Sequence, residues 1–264
     1  VVYLIVKDIM RREPFAMEDE LATTLRAKMR ELDLRSIPVV DDEGKLVGVI
    51  GRKDLLRVTS GKSMILVKGI ASPPIVTCSP DSTIEEVARE MIEKDVAMIP
   101  VVKENFLLGF LTIEDVLRVV SERKPERGKI SVSEVMSKEV EICSPEDSLT
   151  KVWTRMEETG FSGFPVLRDG KLVGIVTRKD IIESGSIRLE LESEKGKFRN
   201  PPKVKRVMKH PVITLKQEDT IEKAKEIMLS KKIGRIPVVD NKGKLVGIVD
   251  REDILRAYLG MKRV

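Results

Sequence analysis

The sequence predicts an α/β protein of four β-α-β-β-α units packed two by two, with small mixed sheets flanked by helices. Three observations predict it. One ladder of residues recurs four times in register. Within each unit the apolar period passes from that of a helix to that of a strand. The interior must also be aliphatic, because apolar residues make up 41% of the 264 positions but aromatics only 3%, beside 34% charged residues.

The ladder is built on four short strand-like runs, Ile37-Pro38-Val39-Val40, Ile99-Pro100-Val101-Val102, Phe164-Pro165-Val166-Leu167 and Ile236-Pro237-Val238-Val239. Nine residues before each proline stands a methionine: Met29, Met91, Met156 and Met228. Nine or ten residues after it stands the glycine of Leu46-Val47-Gly48, Leu107-Leu108-Gly109, Leu172-Val173-Gly174 or Leu245-Val246-Gly247. An aspartate follows six residues on, at Asp54, Asp115, Asp180 and Asp253.

Periodicity assigns the elements of each unit. After the start signal Ser79-Pro80-Asp81, residues Ile84, Val87, Ala88, Met91 and Ile92 recur at helical spacing. Two strands follow each such helix. In the first unit they are Pro38 to Val40 and Lys45 to Ile50, joined by the turn Asp41-Asp42-Glu43-Gly44. A second helix begins near Arg52, with Leu55, Leu56 and Val58 on one face. The units span residues 1–60, 61–122, 131–185 and 203–264, with linkers at 123–130 and 186–202. A unit of about 60 residues buries too little surface to stand comfortably alone, so pairing is expected.

Composition narrows the class of function. A net charge of +5 is slight beside 48 cationic and 43 anionic side chains, which argues against a globally basic nucleic-acid binder. Cys78 and Cys143 form no Cys-x-x-Cys pair and occupy matching positions, reading as small apolar residues, and His210 is the one imidazole, so no metal cage is expected. No apolar run approaches a membrane span or a signal segment, and a soluble protein of the reducing cytoplasm is expected. Three Asn and one Gln in the chain fit a thermophile.

The Ile-Pro-Val-Val strand, the Leu-Val-Gly strand and the closing Thr-x-x-Asp, complete at Thr112-Ile113-Glu114-Asp115 and Thr177-Arg178-Lys179-Asp180, resemble the cystathionine-beta-synthase (CBS) domain. Four copies cover nearly the whole chain as two tandem pairs, or Bateman modules. In architecture this is similar to the gamma subunit of AMP-activated kinase. The resemblance implies a regulatory module, not an enzyme, that binds adenosine-containing ligands (AMP, ADP, ATP or S-adenosylmethionine) in clefts between paired units. It implies no catalytic cofactor. It also implies an output through an unidentified partner protein or through a homodimer.

The Thr-x-x-Asp spacing has a physical rationale. A strand turning into a helix leaves first-turn N–H groups without intrahelical partners, and an anion can fill that position. A Thr hydroxyl adds a donor for phosphate, while the carboxylate can accept from both ribose hydroxyls. Hydrogen bonds to a charged group are worth roughly 1.5 to 3 kcal/mol each, or about two to four decades in affinity together. The same residues also form a capping box, and Gly51 and Asp250, which replace the threonine in units one and four, are acceptable N-caps. The two roles are compatible.

The four clefts differ in charge. Thr177, Arg178, Lys179 and Asp180 make unit three the best phosphate site. Unit one keeps Arg52, Lys53 and Asp54 but has Gly51 in place of the hydroxyl. Unit two has Thr112 and Asp115, yet Glu114 favours a less anionic adenosine. In unit four Asp250 should repel phosphate unless Arg251 or Arg235 neutralises it, which favours S-adenosylmethionine, methylthioadenosine or an empty cleft. The resemblance places the adenine near Thr77 and Thr214, with Phe15 and Ile142 equivalent in the other units. Ile99, Phe164 and Ile236 are candidates for packing its face, or belong to the core.

Other motifs fail. Gly61-Lys62-Ser63 lacks the first glycine of a P-loop, because Leu56 stands there, and Gly160 to Phe164 is no nucleophile elbow. The alternative function is nucleic-acid binding through the basic run Lys195, Lys197, Arg199, Lys203, Lys205, Arg206 and Lys209 (195–209), against which stand its one aromatic, Phe198, and the preceding Glu190, Glu192 and Glu194.

Overall fold

The structure, a computed structural model, describes residues 4–58, 64–185 and 202–262. The chain divides into two compact units, Val1–Lys124 and Pro125–Val264, each holding two repeats. Repeat 1 runs α1 (Val6–Ile9), β1 (Ala16–Met17), α2 (Ala22–Glu31), β2 (Ser36–Val40), β3 (Leu46–Gly51) and a 3-10 turn, Asp54–Arg57. Repeat 2 opens on the 3-10 turn Val67–Gly69 and continues through α3 (Ile84–Glu93), β4 (Met98–Lys103), β5 (Phe106–Thr112) and α4 (Ile113–Arg123).

In the second unit, repeat 3 comprises α5 (Val132–Val135), α6 (Leu149–Thr159), β6 (Gly163–Arg168), β7 (Lys171–Thr177) and α7 (Arg178–Glu183). Repeat 4 opens on the turn Val204–Arg206, followed by β8 (Leu215–Lys216), α8 (Ile221–Lys231), β9 (Arg235–Val239), β10 (Leu245–Asp250) and α9 (Arg251–Leu259). Most of the 186–202 linker, with Lys195, Lys197 and Arg199, lies outside the described residues. The 123–130 linker contains the 3-10 turn Pro125–Lys129, where Arg127 donates to the carbonyl of Ala257 at 3.2 Å.

The sheets are small and mixed, as the sequence predicts. β1 lies parallel to β2 and β3 antiparallel to it, and β8, β9 and β10 repeat that order. In repeats 2 and 3 the first strand shrinks to one parallel bridge, Cys78 to Val101 and Cys143 to Val166, beside the β4-β5 and β6-β7 hairpins. Each cysteine thus fills the position held by Ala16 in repeat 1. Burial pushes both thiols up to about 12. They are packing residues with little thiolate.

The invariant ladder positions form the core. Met29, Met91, Met156 and Met228 are at most 1% exposed, on the inner faces of α2, α3, α6 and α8. Repeat 1 departs from the expected second helix, which is a single 3-10 turn. The other three repeats begin that helix on a side-chain cap, from Thr112, Thr177 or Asp250, whereas Gly51 supplies none.

The leading turn of each repeat, too short for periodicity to reveal, carries the chain onto the sibling repeat. Arg11 bridges Phe110, Ser72 bridges Val49, Ser137 bridges Ile248 and Lys209 bridges Ile175. The glycine of each Leu-Val-Gly motif sits under this crossing. A Cβ on Gly109 would lie 2.4 Å from the carbonyl oxygen of Arg11, and one on Gly174 would lie 3.0 Å from that of Lys209. The motif therefore records a close approach of two backbones.

Candidate functional site

The four aspartates cap their own helices with one oxygen. Asp54 Oδ2 accepts from Gly51 N at 2.7 Å, Asp115 Oδ2 from Thr112 N at 3.0 Å, Asp180 Oδ2 from Thr177 N at 2.9 Å and Asp253 Oδ2 from Asp250 N at 3.1 Å. The threonine hydroxyls of Thr112 and Thr177 also donate to those oxygens, at 2.8 and 2.5 Å. A hydroxyl has one proton. The expected phosphate donation by these threonines would therefore require them to release the carboxylate. The capping box is complete in repeats 2, 3 and 4, and in repeat 1 only its Gly51 N to Asp54 half is made; in all four the bond engages the Oδ2 side of the carboxylate.

What meets the other oxygen comes from the sibling repeat and differs from site to site. Arg11 of repeat 1 grips Asp115 of repeat 2, donating from Nη2 to Oδ1 and from Nε to Oδ2, both at 2.8 Å. Lys209 of repeat 4 lies 3.1 Å from Asp180 Oδ1 of repeat 3. At Asp54, the only hydrogen bond among the described residues is the one from Gly51 N. Neither Arg11 nor Lys209 stands out as a ligand-site residue in the sequence, although the repeat register aligns them with Ser72 and Ser137.

An apolar cleft of about 180 Å³ opens beside Gly51 and Asp54, within the first unit. Its walls are Ser36, Val49 and Gly51 of repeat 1 and Pro74, Ile75, Val76, Val96, Ala97, Met98 and Pro100 of repeat 2. These residues lie beside two of the sequence candidates. Ile75 and Val76 immediately precede Thr77, which is exposed, and Thr214 is half-buried at the equivalent place in repeat 4. Ile99 does not reach the cleft. It, Phe164 and Ile236 are each 0% exposed and lie in the core. Strand alternation explains this: Met98 and Pro100 line the cleft, and Ile99 between them points inward.

The arginines one residue after the cap turn away from the cleft. Arg52 pairs with Asp33 at 2.6 Å, Arg178 donates to the carbonyl of Met156 at 3.0 Å, and Arg251, 9% exposed, contacts the carbonyl of Ile233 at 3.4 Å. Arg178 and Arg251 thus satisfy carbonyls at the end of their own repeat's first helix, and Arg52 holds the Asp33 carboxylate just past it. Lys53 is exposed, and Lys179 lies 3.9 Å from Glu183. Arg35 of repeat 1 pairs with Glu114 of repeat 2, so the negative charge expected to weaken that cleft is countered. Arg235 reaches across to the hydroxyl of Ser162 in repeat 3, next to Gly163, which pairs with Thr177. Arg235 also pairs across the β9–β10 ladder with Asp250, so it lies between the Thr177 and Asp250 sides.

α7 has six residues and the turn after Gly51 has four, so helix termini contribute less to anion holding there than the sequence suggests. The basic run points elsewhere: Lys203 and Lys205 both hold Glu146, at 2.5 and 2.7 Å, and lower its carboxyl to about 2. With Lys209 on Asp180, three of the run's four described cations face carboxylates of repeat 3, which does not favour nucleic-acid binding. Among the described residues no cluster of His, Cys, Asp and Glu could hold a metal, and no helix is long and apolar enough to cross a membrane.

Comparison with known proteins follows the same geometry. The family model described as the CBS domain matches four times, at residues 6–61, 67–122, 132–186 and 204–260. Protein MJ1225 of Methanocaldococcus jannaschii is 30% identical over 261 residues, covering 89% of this chain and 92% of that protein. Its crystal structure, proposed as that of an archaeal homolog of the AMPK gamma subunit, superposes with a TM-score of 0.83 at 25% identity over 97% of this chain and all of that one. An inosine-5'-monophosphate dehydrogenase from Korarchaeum cryptofilum is 38% identical over 119 residues, which are 44% of this chain but 22% of the enzyme.

Proposed function

Because this chain belongs to the CBS domain family and carries four copies of the domain, we propose that it is a non-catalytic sensor of adenosine-containing ligands, bound in clefts between paired repeats. The observation that carries the reading is Asp54: a carboxylate with one oxygen fixed by Gly51 N and the other unengaged among the described residues, beside an apolar cleft. A ribose diol matches the first, and an adenine face matches Ile75, Val76 and Met98. The likeness to MJ1225 along nearly the whole chain supports a four-repeat sensing architecture.

Charge divides the clefts. The site at Asp180, with Lys209, Lys179 and Arg235 around it, suits a phosphate-bearing ligand such as AMP, ADP or ATP. The site at Asp253, with Asp250 beside it, suits S-adenosylmethionine, whose sulfonium and ammonium a carboxylate attracts. Occupancy acts on a partner protein or on self-association by favouring whichever arrangement of the two repeats grips the ligand better.

Mass spectrometry of ligands released from the purified chain, then calorimetry with AMP, ATP and S-adenosylmethionine, tests the reading. Replacing Asp54 by alanine removes two hydrogen bonds to a charged group and should weaken binding at that cleft by about a hundredfold or more. No heat with any adenosine compound, or identical isotherms for the wild type and D54A, would refute it.

A further inference from the structure

Arg11 engages both oxygens of Asp115, on the side where a sugar diol would have to meet the carboxylate. An ionised carboxylate offers about four lone-pair sites. At Asp115, Thr112 N, Thr112 Oγ1 and Arg11 Nε all fall on Oδ2, and Arg11 Nη2 falls on Oδ1. The same fork geometry that makes such a pair specific leaves both oxygens engaged. Asp180 repeats the pattern with Thr177 and Lys209. Asp54, in the same unit as Asp115, accepts from Gly51 alone among the described residues, and the residue in the crossing that matches Arg11 is Ser72. The acids are held tightly while the cations are accessible: the side chains of Asp115 and Asp180 are 11% and 4% exposed, those of Arg11 and Lys209 42% and 60%.

We propose that Arg11 and Lys209 are intramolecular latches, each standing in for the ligand's sugar hydroxyls on the carboxylate of its sibling repeat. The Asp115 cleft therefore fills after the Asp54 cleft, because only there must a cation first be released. The inference rests on the sensor reading above and adds to it the order in which clefts respond. Filling order gives the first unit two thresholds for one ligand, set by a residue outside the Thr-x-x-Asp motif. Lys209, a single flexible donor where Arg11 is a fixed fork, makes the weaker latch.

Crystals of the full chain grown over a graded series of adenosine concentrations test this through the occupancy of each cleft. Adenosine is chosen because it carries no phosphate for Arg11 to bind. In the wild type the Asp54 cleft should be occupied at lower concentration than the Asp115 cleft. In Arg11→Met the concentration that half-fills the Asp115 cleft should fall by about tenfold, with the Asp54 cleft unchanged. Arg11→Gln provides the same comparison should the methionine variant not fold. An unchanged or weakened Asp115 cleft, with Asp54 still filling, overturns the latch and leaves the sensor reading standing. Vacancy of every cleft at saturating adenosine overturns both.

Discussion

Replacing Gly109 by alanine tests the crossing that joins the repeats. The added methyl would lie 2.4 Å from the carbonyl oxygen of Arg11 and 3.2 Å from its carbonyl carbon, where ordinary contact begins at 3.4 Å. Backbone cannot swing aside as a side chain can, so the Arg11 strand must move off by about an ångström. That movement breaks the paired bonds Arg11 N to Phe110 O at 2.9 Å and Phe110 N to Arg11 O at 2.8 Å. At about 1 kcal/mol net for each, the loss is ~2 kcal/mol. Exchange of the Phe110 amide with deuterated solvent reads this locally and should accelerate about 30-fold. Gly170→Ala is the control, since its Cβ would meet nothing within 4 Å and its cost comes from a φ of +75°. Exchange at Phe110 as slow in G109A as in the wild type would refute the argument.

Three further outcomes are expected. Thr112→Ala should lose about 1 kcal/mol through the missing cap, and Thr112→Ser should recover most of it; equal melting of all three proteins would contradict the capping geometry. Cys78 and Cys143 should resist iodoacetamide in the native protein at pH 8, because their folded thiols titrate near 12. A folded pKa raised above the unfolded value of 9.0 gives stability that is complete below that pH and is lost as pH rises toward 12, so alkaline unfolding should be less steep in Cys78→Ala/Cys143→Ala. Glu146 runs the other way: its carboxyl is lowered from 4.5 to about 2, so the stabilisation it brings holds above 4.5 and fades as pH falls toward 2. Glu146→Gln should flatten the acid limb of the unfolding profile, and a limb unchanged in 0.5 M salt as well would show that Lys203 and Lys205 do not matter.

The parts of the fold that repeat were legible because four copies average out local noise. The methionines on the inner helix faces, the Ile-Pro strand and the glycine strand all stand where periodicity puts them. The capping role of Asp115 and Asp180 was legible for the same reason, since it lies within four residues of chain. What the sequence concealed is long-range. Nothing local announces that Arg11 reaches Asp115, 104 residues away, or that Arg35 meets Glu114. Aligning the repeats would have drawn attention to Arg11 and Lys209, but not to which carboxylate each meets. Ile99, Phe164 and Ile236 could face adenine or core on sequence; all three are buried, and along β4 Ile99 lies between the cleft-lining Met98 and Pro100.

The exchange of leading segments has a consequence for how such a chain can be divided. The cleft of the first unit is walled by both of its repeats, so a protein severed within residues 59–63 would leave each fragment holding half of it. Neither piece should retain affinity by itself, yet mixing them should restore it, with a dose dependence that reports the strength of the embrace between siblings. The repeat pair is accordingly the smallest piece in which these contacts are complete, and a substitution in one member, such as Arg11, acts on a carboxylate of the other.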